Sequence, residues 1–319
     1  MTFKEIIEQN DLFIISSHVN ADGDNLSSSL GLKIALENMG KEAYYILDEE
    51  LPEKFEFLYR DHPNYSSSKA ISIIDNRPYV FIGLDCAILK RFNIETSIFE
   101  GSSYKINIDH HLGNEYYGDV NLVSTNISST CEILYEALKQ DFEDFIDARV
   151  ATCLYTGILT DTGNFIYDRA GSETLRIAME LIQKGADKAT IAERVFRSET
   201  FGYYKLMGEV LNTLAVEGDF AYACLTKEMR ERWGVPYNNI ETLVNCTINI
   251  EGVNMGILFK EKGENEVRVS LRSKGLVDVE KFASEFGGGG HKSASGCTLY
   301  LPLKEAVAVA VKRAKEYLS

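Results

Sequence analysis

Cysteine is scarce and unpatterned in this chain. Six residues, at 86, 131, 153, 224, 246 and 297, form no Cys-x-x-Cys pair and no dense framework, which excludes a structural zinc knuckle and a disulfide scaffold. Most of them read as small buried hydrophobes. Proline is equally rare, with five residues and no Pro-rich linker, and no long-period repeat or low-complexity tract is present. No window reaches the roughly 18 uninterrupted apolar residues of a membrane-spanning helix, and Met1–Asn10 lacks the basic region and apolar stretch of a signal peptide. The expected location is cytoplasmic, with no membrane partner. Positive charge is also short: 33 Lys and Arg stand against 48 Asp and Glu, a formal −15. A general electrostatic grip on long nucleic acid is therefore excluded, and any polyanion must be gripped locally or through metal.

What is present describes an ordinary globular protein. At 45% hydrophobic and 25% charged residues the composition supports a sizeable core, and 319 residues suggest two domains. The acid is unevenly placed, because residues 216 to 319 hold as many basic as acidic side chains and the whole excess lies before them. Most of those carboxylates read as a solvated face.

Short apolar runs at 12 to 17, 42 to 47, 79 to 84 and 104 to 108 alternate with longer helical or irregular stretches, including a helix from about Asp24 to Met39 stopped by Gly40. That alternation predicts an α/β fold, a parallel sheet with helices on both faces. Residues 128 to 214 read as helices at 128–140, 144–160, 172–184, 187–197 and 200–214. Strands are then expected at 220–226, 253–260, 266–272 and 298–301, and helices near 238–246, 278–286 and 303–318. The division this suggests is a catalytic domain over 1–197, a linker helix over 198–215, and a smaller α/β domain with a mixed sheet over 216–319.

In an open parallel sheet, ligands bind beyond the carboxyl ends of the strands. The run ending at Ser17 is followed by His18-Val-Asn-Ala-Asp22-Gly-Asp24, the run at 79–84 leads into Asp85, and the run at 104–108 leads into Asp109-His110-His111. A fourth carboxylate, Asp161, closes an apolar helix in Gly157-Ile-Leu-Thr-Asp161. A single Asp after a strand is ordinarily a cap or turn former. Four such places, holding three of the five histidines, exceed what capping needs. Gathered at one edge without compensation these groups would repel one another, and bound dications remove that conflict. Imidazole with carboxylate and no thiolate suits Mn²⁺ first, with Mg²⁺, Co²⁺, Fe²⁺ or Zn²⁺ as alternatives. Two ions about 3.5 to 4 Å apart would activate a water and clamp phosphoryl oxygens for in-line displacement.

The second half offers Phe286-Gly-Gly-Gly-Gly-His291-Lys292. Four consecutive glycines let backbone N–H groups of Gly288, Gly289 and Gly290 approach an anion as a nest, with His291 adding a donor. In Glu266–Ser273, alternation sets Val267, Val269 and Leu271 on one face and Arg268, Ser270 and Arg272 on the other.

Together, His18-x-x-x-Asp22-x-Asp24, Asp85, Asp109-His110-His111, Asp161 and Gly287-Gly-Gly-Gly-His291 resemble the DHH phosphoesterase superfamily with its DHH-associated C-terminal domain, over essentially the whole chain. The two-domain length is most similar to the nanoRNase/pAp-phosphatase group, manganese enzymes that degrade very short oligonucleotides and remove the 3′ phosphate of adenosine 3′,5′-bisphosphate. The resemblance implies that His18, Asp22 and Asp85 bind one Mn²⁺ and Asp24, Asp85, His110 and Asp161 the other, with Asp85 bridging. It implies that Asp109 orients its neighbours, that His111 contacts the scissile phosphate or protonates the leaving oxygen, and that Arg272 and His291, with Arg268 and the glycines, bind the substrate at a cleft between the domains. Partners would be short oligonucleotides or phosphate-bearing nucleotides, and a homodimer is left open.

The first motif departs from the family's His-x-x-Pro-Asp-Gly-Asp-Ala-x-Gly-Ser: Ala21, Asn25 and Ser27 replace Pro, Ala and Gly. Every ligand survives, and Asn25 is placed to hydrogen-bond a metal-bound water. Within the superfamily, cleavage of cyclic di-AMP or pApA needs the same groups. A pyrophosphatase is disfavoured by the missing Ser-Arg-Lys-Lys-Gln signature, and a non-catalytic nucleotide or metal sensor by the intact ligand set.

Overall fold

The computed structural model describes residues 1–166 and 169–318. The chain divides into two compact units, Met1–Ser198 and Glu199–Ser319. The first contains α1 (Phe3–Gln9), β1 (Leu12–Ser17), α2 (Gly23–Asn38), β2 (Glu42–Tyr45), α3 (Glu56–Tyr59), α4 (Ser67–Ile74), β3 (Val80–Leu84), α5 (Thr96–Glu100), β4 (Tyr104–Asp109), β5 (Val120–Val123), α6 (Thr130–Phe142), α7 (Ala148–Asp161), α8 (Ser172–Gln183) and α9 (Lys188–Phe196). Its five strands are all parallel, in the order β2-β1-β3-β4-β5.

Strands β1 and β3 are buried at every residue, the state their unbroken apolar runs demand when helices cover both faces. Phe13, Ile15, Val80, Ile82, Ile106 and Ile108 point to one side and join a core with Leu26 and Leu30 of α2, Leu134 of α6, and Leu154 and Ile158 of α7. Leu12, Ile14 and Phe81 point to the other, against Ala70 of α4 and Ile98 of α5. Because β1 lies between β2 and β3, the chain leaves β1 to one side and returns on the other. That reversal opens a crevice at the carboxyl ends of β1 and β3.

The second unit contains α10 (Phe201–Leu211), β6 (Ala215–Glu217), β7 (Phe220–Leu225), α11 (Lys227–Arg232), α12 (Asn245–Ile248), β8 (Met255–Gly263), β9 (Glu266–Ser273), α13 (Val279–Ser284), β10 (Gly289–His291), β11 (Ala294–Leu299) and α14 (Leu303–Leu318). Its six-stranded sheet, β10-β11-β9-β8-β7-β6, is mixed: β7 and β8 run parallel and the remaining pairs antiparallel. The face bearing Val267, Val269 and Leu271 packs on α13 and α14 through Val279, Phe282, Ala306 and Ala310. The opposite face carries Leu258 beneath Leu206 and Val210 of α10.

Several elements depart from expectation. The helix anticipated at 238–246 is instead two 3-10 turns, Tyr237–Asn239 and Glu241–Val244, followed by the single turn α12. Asparagines and β-branched residues dominate that stretch, and both favour local backbone bonds or restricted rotamers over a continuous helix. The strand anticipated at 298–301 begins earlier, at Ala294, and β5, β6 and β10 were not anticipated. In β10 and the first half of β11 small residues carry too little alternation to announce a strand, and β5 and β6 are only four and three residues long.

Candidate metal centre

Each motif residue reaches the crevice for a local reason. Asp22 is the N-cap of α2, its Oδ1 accepting the Asn25 amide at 3.1 Å, so its capping and site positions coincide. His18 follows β1, and its Nδ1 lies 2.9 Å from the Val19 carbonyl. A carbonyl only accepts, so Nδ1 carries the proton and Nε2 turns inward, 3.8 Å from Asp22 Oδ2 and 3.4 Å from Asp85 Oδ2. Asp85 adopts a left-handed conformation, φ 53°, directly after β3. Asp and Asn tolerate that region better than other side chains.

Asp161 is the last residue of α7, and close helix packing delivers it. A Cβ on Gly23 would lie 2.2 Å from Oγ1 of Thr160, so only glycine allows α2 to meet α7 here. Asp24, next to that contact, and Asp161, next to Thr160, consequently share one neighbourhood with His110. Their ligand-type atoms all lie within 4.8 Å of one another.

Among the described residues three such groups form: the disjoint triads His18/Asp22/Asp85 and Asp24/His110/Asp161, and Asp85/His110/His111, which shares a residue with each. Asp85 links them: its Oδ2 faces His18 and its Oδ1 lies 3.5 Å from His110 Nε2. His111 approaches Asp85 as well, but its Nδ1 is held by Asp109 Oδ1 at 2.8 Å. Asn114 donates to the other Asp109 oxygen at 2.6 Å and accepts from Asn107 at 2.7 Å, fixing the carboxylate behind the histidine.

The electrostatics of this cluster are those of uncompensated charge. Burial, then the Asp85 and Asp161 charges, hold the Asp24 carboxyl well above its usual range. Burial, with Asp85 and Asp22, does the same for Asp161, which keeps 32% of its side chain exposed. Burial opposes ionisation of Asp85 too, but the bond from His18 and the charges of His111 and His110 prevail and lower it. Burial lowers His110. His111 is raised to about 9, because the Asp109 bond and the Asp85 charge outweigh burial. Carboxylates that resist ionising together, imidazole nitrogens turned toward them and the lack of a thiolate in these triads form the donor set of a hard or borderline dication. The residues present fit such an ion.

Asn25 has structural partners in the turn after β1. Its amide donates to the His18 carbonyl at 3.1 Å and accepts from Ser17 Oγ at 2.8 Å, and Ser17 Oγ also meets Tyr45 Oη at 2.8 Å. It holds the turn after β1 in shape. The first turn of α6 carries no motif in the sequence, yet its Thr130 and Cys131 amides both donate to Asp24.

In the second unit the glycine run forms an edge strand and not a nest: Gly289, Gly290 and His291 pair with Gly296, Ser295 and Ala294. Gly288 fits only without a side chain, since a Cβ would lie 2.2 Å from the Gly296 carbonyl oxygen. Ala294 pairs on its other side with Arg272, so Arg272 and His291 occupy one register row two strands apart. Arg268 pairs with Thr298 and Lys260, four residues along β9, about 13 Å at strand rise. The structure thus groups Arg272 with His291 and sets Arg268 apart.

Residues 12–158 match the DHH family N-terminal domain and residues 218–319 the DHHA1 domain. The bifunctional oligoribonuclease and PAP phosphatase NrnA of Thermus thermophilus is 34% identical over 96% of this chain and 90% of its own length. An exopolyphosphatase-related protein from Bacteroides fragilis superposes with a TM-score of 0.91 at 31% identity, covering 99% of this chain and 95% of that one. The cyclic-di-AMP phosphodiesterase PdeA of Listeria monocytogenes is 24% identical over 93% of this chain but only 46% of its own length. Ligand-type residues converging from the ends of β1, β3 and β4, from the start of α2 and from the end of α7, carried on a DHH domain followed by a DHHA1 domain, place this chain in the DHH phosphoesterase family, among the relatives named NrnA.

Proposed function

We propose that the protein is a two-metal phosphoesterase, with Mn²⁺ as its ion, that hydrolyses very short oligonucleotides and removes the 3′ phosphate from adenosine 3′,5′-bisphosphate in the cytoplasm. The observation that carries this reading is the pair of triads joined through the two oxygens of Asp85. The activities named for the NrnA relatives support the choice of substrates. His18, Asp22 and Asp85 would hold one ion and Asp24, Asp85, His110 and Asp161 the other. When bound, the ions supply an activated water and neutralise charge on the phosphoryl oxygens.

The chain's own residues do the rest. Asp109 fixes the ring of His111 so that its second nitrogen meets the leaving oxygen and returns a proton to it. Arg272 and His291, in one register row, bind the phosphate that does not react. Arg268 stands too far along β9 to share that contact and serves a different part of the substrate. Formal neutrality after residue 216 suits a locally gripped, small anion.

The test is the Mn²⁺-loaded protein against adenosine 3′,5′-bisphosphate, two- to five-residue RNA and DNA, pApA, cyclic di-AMP and pyrophosphate, comparing kcat/KM. Highest turnover of the bisphosphate or the short oligomers supports the assignment. Preference for cyclic di-AMP or pApA would favour the phosphodiesterase reading, and turnover of pyrophosphate alone would overturn the nucleotide substrate.

A further inference from the structure

Thr130 touches two of the three carboxylates that face His110, Asp24 and Asp85. Its backbone N–H donates to Asp24 Oδ2 at 2.6 Å, and its hydroxyl donates to Asp85 Oδ1 at 2.8 Å, the oxygen that faces His110. The Cys131 N–H completes the hold on Asp24, donating to Oδ1 at 3.0 Å.

Position explains why. Thr130 and Cys131 open α6, where amides have no partner within the helix. Ser129 Oγ takes the next amide, that of Glu132, at 3.3 Å. Asp24, 106 residues earlier, therefore serves as a cap supplied by another helix. The turn itself is anchored: the buried Glu132 carboxylate accepts from Ser128 Oγ and, at 3.1 Å, from Thr174 Oγ1 of α8. Each carboxylate oxygen has two lone pairs, so one can accept from Thr130 while the other faces an ion.

We propose that Thr130 is a positioning residue of the metal centre, its hydroxyl setting the rotation of Asp85 and its amide that of Asp24, so that both present an oxygen to the ion shared with His110 and Asp161. This rests on the two-metal reading above. A capping role for the turn alone would involve only the two amides and would leave the hydroxyl of Thr130 without consequence.

The hydroxyl separates the two accounts. Thr130→Val keeps the shape and the backbone N–H but loses the donor to Asp85, whereas Thr130→Ser keeps the donor. Metal-stripped full-length protein is titrated with Mn²⁺ by calorimetry, alongside the ratio of kcat/KM with Mn²⁺ to that with Mg²⁺. Thr130→Val is expected to weaken one of two Mn²⁺ sites by about 10- to 100-fold, as loss of an outer-shell partner does, and to change the metal ratio, while Thr130→Ser retains both values within about threefold of the parent protein. Two wild-type Mn²⁺ affinities in Thr130→Val overturn the proposal and leave the two-metal reading standing. Equal defects in the Val and Ser variants overturn it as well, since packing and not the donor would then be responsible. A parent protein that takes up no Mn²⁺ overturns both.

Discussion

Gly157 is the place where packing and chemistry can be separated by adding one methyl group. It lies on α7, and a Cβ there would sit 2.3 Å from Cys131 Sγ, 2.8 Å from Asp24 Oδ1 and 3.2 Å from Cys131 Cβ. Ordinary carbon contacts are about 3.5 to 4.0 Å, so Gly157→Ala must open the α6–α7 contact by roughly 1 Å or more and push Asp24 off the Thr130 and Cys131 amides. Overpacking of this kind costs about 1–3 kcal/mol, and for a unit of this size each kcal/mol lowers Tm by about 2–4 °C. The metal-free protein should therefore melt roughly 2–12 °C lower, and its affinity for Mn²⁺ should fall as well. The double variant Gly157→Ala/Cys131→Ala removes the 2.3 Å clash but retains the 2.8 Å one. It should regain much of the lost Tm without regaining the metal affinity, a non-additive pattern expected of touching residues. Differential scanning fluorimetry and Mn²⁺ calorimetry on the three proteins give both quantities. A wild-type melting temperature and Mn²⁺ affinity in Gly157→Ala, or full recovery of Mn²⁺ binding in the double variant, would refute the placement of Asp24 in this contact.

Three further outcomes are expected. Asp85→Asn keeps a side chain that tolerates φ 53° and removes only the charge, so it should fold, lose Mn²⁺ binding and lose more than about 100-fold in kcat/KM, beyond what an outer-shell loss costs; turnover near the parent value would sink the bridging role. The metal-free protein should be more stable near pH 5.5 than near pH 8.5. Asp24 and Asp161, raised in the fold, and His18 and His111, raised likewise, all bind protons more tightly folded than unfolded, so their contribution is lost as pH rises, with His110 alone among the centre's shifted groups opposing across this window. Saturating Mn²⁺, which competes with those protons, should flatten or reverse the slope of Tm against pH, and a metal-free slope of the opposite sign would contradict the assignment of the cluster. Arg272→Ala should raise KM at nearly unchanged kcat, as loss of uniform substrate binding does; a large fall in kcat at constant KM would put Arg272 in the chemistry.

The alternation of apolar runs in the first 110 residues was enough to read a parallel sheet, because strands buried on both faces have no polar side to disguise them. The residues ending those runs were legible for the same reason: a His or Asp directly after an apolar strand stands out by contrast. Thr130 gave no such signal. It opens a helix behind two serines, where Ser and Thr are ordinary cap and first-turn residues, and its partners lie 106 and 45 residues away. Gly23 and Gly157 were equally silent, since a helical glycine reads only as a weak point until the neighbour it admits is known.

By itself the sequence determined the fold class, the set of chemistry-bearing side chains and their order along the chain, since each depends on local pattern and residue type. Tertiary structure alone decided which of those side chains gather into triads able to hold a metal ion, that Asp85 turns Oδ2 toward His18 and Oδ1 toward His110 and His111, that Asn25 supports the turn after β1, and that Arg268 stands apart from Arg272 and His291. These are questions of distance between segments remote in sequence. They are answered by how closely helices and strands can pack, here by glycines that let α2 and α7 meet and by a register that runs from Arg272 through Ala294 to His291.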